Sequence, residues 1–145
     1  MSWKKLLANK NVVPEAPSKA ELDNLRSIVV RSMKDAAAPG LSADARFVMT
    51  YDAARTLSLM IVRAAGYRPR SMGGHYNTFL ALEAADASFA KLSAYFDGCR
   101  LKRNNCEYDF AGGITHTDAK ALFTAVQQFA PDAEAWIKKH HPSLA

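Results

Sequence analysis

The segment from Ser42 to Ala65 constrains the fold more than any other part of the chain. Its apolar residues (Phe47, Val48, Tyr51, Ala54, Leu57, Leu59, Met60, Ile61 and Val62) follow helical spacing and nearly encircle the helix towards its end. A helix that is apolar all round has to be surrounded by other elements, so this one belongs at the centre of a bundle. Ser42 supplies a start and Gly66 a stop. The longest apolar-looking run, Thr56 to Val62, ends at Arg63 and is far too short to span a membrane.

The neighbouring segments repeat the pattern. Ser18 is placed to cap a helix, with Glu21 three residues later in capping-box spacing. Leu22, Leu25, Val29, Met33 and Ala36 then form a stripe that Ala38-Pro39-Gly40 ends. Tyr67 to Gly74 contains a proline and two glycines and is expected as a loop. His75 to Ala85 returns to helical spacing. Asp86 is placed to cap the next helix, which carries Phe89, Leu92, Phe96, Cys99, Arg103 and Cys106 on one stripe. After the break at Phe110-Ala-Gly-Gly113, Thr117 is expected to cap a last helix, kinked or restarted at Pro131. No segment alternates as a strand. The expectation is an all-α, antiparallel bundle of four or five helices over residues 18–141, preceded by a loosely attached lead-in (1–17) and followed by a short tail (142–145).

With 145 residues, 49% hydrophobic and 23% charged, the chain fits one globular domain. Cys99 and Cys106 stand seven residues apart on a predicted helix, roughly 10 Å along its axis, too far to bridge each other. That usage suits a reducing compartment, and the N-terminus shows no signal-peptide pattern, so a cytoplasmic protein is expected. The formal net charge is +5. Between Arg63 and Arg103 seven cations (Arg63, Arg68, Arg70, Lys91, Arg100, Lys102, Arg103) stand against only Glu83, Asp86 and Asp97, which is either a localised site for a polyanion or a scattered, solvated surface with Arg68-Pro-Arg70 a loop touching nothing. No Walker A, dinucleotide, nucleophile-elbow or zinc pattern is present, so no cofactor or metal is expected.

Arg103 is the candidate functional residue. It stands where the stripe calls for a hydrophobe, so its guanidinium is directed towards the bundle or a second subunit. A charge there requires a partner. That partner is either an anionic ligand or a carboxylate such as Asp52, Glu83 or Glu107; a snorkelling stem is the third possibility. Arg100 and Lys102 lie within the same turn, and Asn104 adds an amide able to bond phosphate, ribose or base. Arg68 and Arg70 form a second, loop-borne pair of cations. His75, after Gly73-Gly74 at a helix start, is either a proton carrier or an ordinary solvent-facing group.

The segment Arg103-Asn104-Asn-Cys-Glu-Tyr108 resembles the signature of the HEPN (higher eukaryotes and prokaryotes nucleotide-binding) superfamily. There an arginine, usually followed by a polar residue, precedes a histidine by four to six residues near the end of a bundle helix. Tyr108 stands here in the place of that histidine. Phe47-Val-Met-Thr-Tyr51-Asp-Ala-Ala, Ala65-Gly-Tyr-Arg-Pro-Arg and Gly74-His75-Tyr also resemble a bacterial HEPN subgroup, so the resemblance covers roughly residues 18–140. It implies a homodimer with both arginines in a shared cleft. It further implies binding of RNA or a nucleotide, and in many members metal-independent ribonuclease activity within toxin–antitoxin or defence modules. By that resemblance Arg103 and Asn104 would meet phosphate, Arg100 and Lys102 would attract it, and Tyr108 would orient or stack the substrate. His75 would be the alternative acid/base. Two other readings remain: a non-catalytic module whose basic patch docks a protein partner such as a nucleotidyltransferase-like antitoxin, and a structural dimer in which Arg103 is held in an ion pair.

Overall fold

The computed structural model describes residues 1–106 and 111–145. A short helix α1 (Trp3–Ala8) leads into strand β1 (Val12–Pro14). The long helices α2 (Lys19–Ala36) and α3 (Ala43–Ala64) follow, then strand β2 (Tyr67–Pro69) and α4 (Gly74–Ala85). A 3₁₀ turn (Ala87–Phe89) runs directly into α5 (Ala90–Asn104). Helix α6 (His116–His140) and a closing 3₁₀ turn (Pro142–Leu144) complete the chain. The architecture is an all-α bundle carrying one two-stranded ribbon. No described helix is long and apolar enough to cross a membrane.

Helix α3 is the axis of the bundle, with α2, α4, α5 and α6 all packed against it. This explains its encircling apolar pattern: Phe47, Tyr51, Ala53, Ala54, Leu57, Met60 and Ile61 are all buried in one core with Leu22, Phe79, Phe96, Leu122 and Phe129. The Ser42 hydroxyl accepts from Ala45 N, and Gly66 closes the other end at φ +95°, a left-handed conformation that glycine adopts without penalty.

Several helix ends differ in detail from the sequence expectation. The Ser18 hydroxyl caps α2 by accepting from Glu21 N at 3.1 Å, but the Glu21 carboxylate does not return to the cap; it binds Arg63 instead. Helix α6 is capped by Thr115, not Thr117, with a reciprocal capping box to Asp118. It also passes through Pro131 as one helix. Phe129, Ala133 and Ile137, on either side of the proline, are buried in the common core and hold the segment in line despite the missing donor.

The larger corrections concern residues 1–17 and 67–74. The N-terminal segment is packed rather than loosely attached. Leu6 and Val12 are buried with Val62 and Ala81 in a second small core, and Trp3 stacks on Tyr67 with ring centroids 4.1 Å apart. Val12, Val13 and Pro14 pair antiparallel with Pro69, Arg68 and Tyr67, so part of the expected loop is a strand. Neither three-residue strand is long enough to show alternation, which is why the sequence pattern missed both. The tail is also held: Leu144 is buried, and its carbonyl accepts from Arg26 Nη2 at 2.7 Å.

Arg63 ties these additions to the bundle. It is only 2% exposed, the largest fully buried side chain described. Its Nε and Nη2 donate to the two Glu21 carboxylate oxygens at 2.7 and 3.1 Å. Its Nη1 donates to the Glu15 and Tyr67 carbonyls at 3.1 and 2.9 Å, and Nη2 also reaches the Ala16 carbonyl at 3.3 Å. One guanidinium therefore joins α3 to β2, to the segment entering α2, and to the first turn of α2.

Removing one partner of such a buried pair costs about 3 kcal/mol or more. Arg63→Met is therefore expected to lower the urea midpoint strongly, with a fall of about 3 kcal/mol read by circular dichroism. The hydrogen bond from Arg63 holds the Glu21 carboxyl below its ordinary value of 4.5. The stability this contributes is present above pH 4.5 and is lost as pH falls through the lower folded-state value. Glu21→Gln is expected to remove that part of the acid dependence.

Candidate functional site

The site is built where α3, α4 and α5 meet. Gly73, at φ +70°, turns the chain into α4, so that His75 occupies the second position of the helix. Asn77, buried one turn into the helix, fixes this entrance. Its Nδ2 donates to the Arg70 carbonyl at 3.2 Å and to the Met72 carbonyl at 3.0 Å, while its Oδ1 accepts from Asn11 Nδ2 at 2.9 Å. The loop that carries Arg70 and His75 is thereby held from below by a single amide.

His75 faces α3, where Tyr51 Oη lies 3.0 Å from its Nδ1. Tyr51 is fully buried, and its ring packs on Phe79 as well as against His75. The guanidinium of Arg103 sits over the face of the Tyr51 ring, 5.5 Å from its centre, a cation–π contact. Arg100, one turn earlier on α5, lies over Tyr76 at the same 5.5 Å and donates from Nε to Asp97 at 2.7 Å. Arg55, one turn along α3 from Tyr51, brings a third guanidinium. It is half-buried, and among the described residues its Nε is buried without a hydrogen-bond acceptor.

Electrostatics follow from this crowding. Burial, then the positive fields of Arg55, Arg103 and Arg100, push the His75 pKa down to about 4, so the imidazole is neutral at pH 7. Burial raises the Tyr51 pKa, against the opposing pull of the same three arginines, and keeps its hydroxyl protonated. A neutral imidazole hydrogen-bonded to a phenol beside three guanidinium groups combines a positive field with a group able to exchange a proton. With the proton on Nδ1, which donates to Tyr51 Oη, His75 Nε2 is free to accept one; in the other tautomer Tyr51 donates and Nε2–H is a donor.

The structure gathers some of the residues singled out in the sequence and separates others. Arg103, Arg100 and His75 come together. Asn104 is half-buried beside them, its Oδ1 accepting from Arg103 Nη1 at 3.4 Å. Tyr108 and the possible carboxylate partner Glu107 lie outside the described residues. Lys102 turns to the opposite side of α5, where it pairs with Asp118 at 3.2 Å. Arg68 pairs with Glu15 at the ribbon, and Arg63 is internal. The run of cations between Arg63 and Arg103 is therefore not one patch, because helix and strand geometry sends its members to different faces.

Arg70 does stay near the site. Together with Arg55, Arg68, Ser71 and His75 it lines a cleft of about 530 Å³ beside the ribbon. Tyr51 and Arg55 were missed as functional candidates. Their spacing of four on the central helix was the available signal, but Tyr51 reads equally well as core. Cys99 is buried, with its thiol pushed up to about 11 chiefly by burial, and belongs to the core. No protein-family model, curated protein or solved structure matches the chain.

Two outcomes are expected for His75. Its ring proton resonance should titrate by NMR with a midpoint near 4, and Arg55→Gln should move that midpoint upward. Because the folded value lies below the ordinary 6.5, the unfolded chain binds the extra proton first. Stability should therefore fall as pH drops from about 6.5 to about 4, and His75→Gln should flatten that portion of the stability profile.

Proposed function

We propose that this chain is a HEPN-like RNA- or nucleotide-binding protein, acting as a cytoplasmic homodimer, whose site is capable of metal-independent endoribonuclease chemistry. The observation that carries the reading is the Tyr51–His75 hydrogen bond set among Arg55, Arg100 and Arg103. Three guanidinium groups suit the charge and geometry of a phosphodiester, since each presents several N–H donors in a fixed plane. Arg103 is the residue that the resemblance assigns to phosphate, and His75 supplies the imidazole that the motif, with Tyr108, lacks. Tyr76 is 44% exposed where its ring meets Arg100, which leaves that face open to a second copy.

In the cleavage reaction the ribose 2′ oxygen attacks phosphorus and its proton passes to His75 Nε2. The bond from phosphorus to the 5′ oxygen breaks, and the leaving oxygen takes a proton from water or from the imidazolium so formed. The products are a 2′,3′-cyclic phosphate and a 5′-hydroxyl end. Arg55, Arg100 and Arg103 oppose the negative charge that builds on the phosphoryl oxygens. With its pKa near 4, His75 is a weak base in the empty site. A phosphodiester among the arginines offsets their field and raises the basicity of the imidazole when substrate is bound.

Single-stranded RNA incubated with the protein in excess EDTA is expected to yield fragments with cyclic phosphate ends. Arg103→Ala and His75→Ala should each reduce the rate by about a hundredfold or more while the helical circular dichroism is retained. Retention of RNA without cleavage, with affinity falling steeply as salt rises, would leave a binding protein and remove the catalytic step. No binding at low salt, together with a large fall in melting temperature for Arg103→Ala, would assign Arg103 to structure alone.

A further inference from the structure

The cleft beside the ribbon is lined by Arg55 and His75 of the site described above and by residues of the two strands. Its floor is apolar and partly exposed, formed by Val13 of β1, Leu59 of α3 and Pro69 of β2. Its rim is cationic. Of the four arginines that line it, Arg63 is bound to Glu21 and Arg68 to Glu15, while Arg55 and Arg70 have no carboxylate within 4.0 Å among the described residues.

The backbone at Arg70 is firmly held. Its N–H donates to the Asn11 carbonyl at 2.9 Å and its carbonyl accepts from Asn77, while the side chain stays exposed. At about 530 Å³ the cleft falls within the size range of small-molecule sites. A flat apolar body with an anionic group at one end matches a hydrophobic floor with two available arginines at its edge.

We propose that this cleft seats one nucleoside phosphate unit, its base against Val13, Leu59 and Pro69 and its phosphate between Arg55 and Arg70. The inference rests on the phosphate-binding reading of the neighbouring site and deepens it. Arg55, which belongs to the cleft and to the group around His75, would contact two successive phosphates of a strand running from the cleft towards Arg103. The same unit can arrive as a free nucleotide or within RNA, and the experiment separates the two.

The probes are a 2′-O-methyl oligouridylate hexamer, which cannot be cleaved, uridine 5′-monophosphate, and inorganic phosphate followed through the His75 NMR signal. Two variants alter the cleft alone: Arg70→Ala removes an exposed side chain, and Leu59→Trp fills the floor. Both are expected to weaken the hexamer about tenfold; Arg70→Ala should also weaken the response of His75 to inorganic phosphate, whereas Leu59→Trp should leave that response as in wild type. A hexamer that binds much more tightly than the mononucleotide identifies a strand as the ligand. Equal affinities, both lost in Leu59→Trp, identify a free nucleotide in the same cleft. Hexamer binding unchanged in both variants overturns the proposal and leaves the Arg103 site standing. Loss of the His75 phosphate response in Leu59→Trp as severe as the loss of hexamer binding also overturns it, because the floor would then not be a separate base subsite. A wild-type protein that binds neither hexamer nor phosphate overturns this inference and the functional reading beneath it.

Discussion

Arg63 holds together the part of the molecule on which the site is built. A guanidinium taken out of water is costly unless every donor finds an acceptor, and here the acceptors come from three separate stretches of chain: Glu15–Ala16, Glu21 and Tyr67. None of them can leave without stranding a buried charge. The ribbon is consequently fixed against α3 although its two strands have only three residues each, and two such strands are not stable alone. The second core under Trp3, Leu6 and Val12 packs against the same corner.

With the ribbon fixed, the loop after it is short and tightly directed. Asn11 receives the Arg70 N–H, and Asn77 returns two hydrogen bonds to the loop carbonyls, so Arg70 and His75 are presented from a braced backbone. A substitution at Asn77 would leave two carbonyls and Asn11 without their partner, at about 1–3 kcal/mol for each group left unsatisfied. The geometry of the cleft depends on Asn11 and Asn77, which do not line it.

The cations gather at two kinds of place. Arg26, Arg63, Arg68 and Lys102 are paired with carboxylates and serve the scaffold. Arg55, Arg100 and Arg103 crowd a half-buried imidazole, and their repulsion of a further positive charge adds to the burial that chiefly keeps His75 unprotonated. An anion entering this space relieves that repulsion, so its binding and the basicity of His75 are thermodynamically coupled. The pairing of Arg100 with Asp97 at 2.7 Å aims its guanidinium without cancelling the local positive field.

The sequence by itself determined the bundle. Helical periodicity at 22–36, 43–64 and 116–140, the Ser18 and Ser42 caps, and the encircling apolar pattern of α3 are local or nearly local properties, and they name both the helices and the one at the centre. It also marked Arg103, because a charge in an apolar stripe is visible as a break in a repeating pattern. Only the tertiary structure decided which cations belong together. Arg63 and Arg103 look alike in a count of charges, yet one is sealed by Glu21 and the other lies over Tyr51 beside His75. Tyr51 and Arg55 come from α3, His75 from α4 and Arg100 from α5, and their meeting depends on helix rotation and crossing, which side-chain packing sets and spacing along the chain does not encode. The ribbon escaped for a related reason: the pairing of residues 12–14 with residues 67–69 is a long-range match too short to leave a period in either strand.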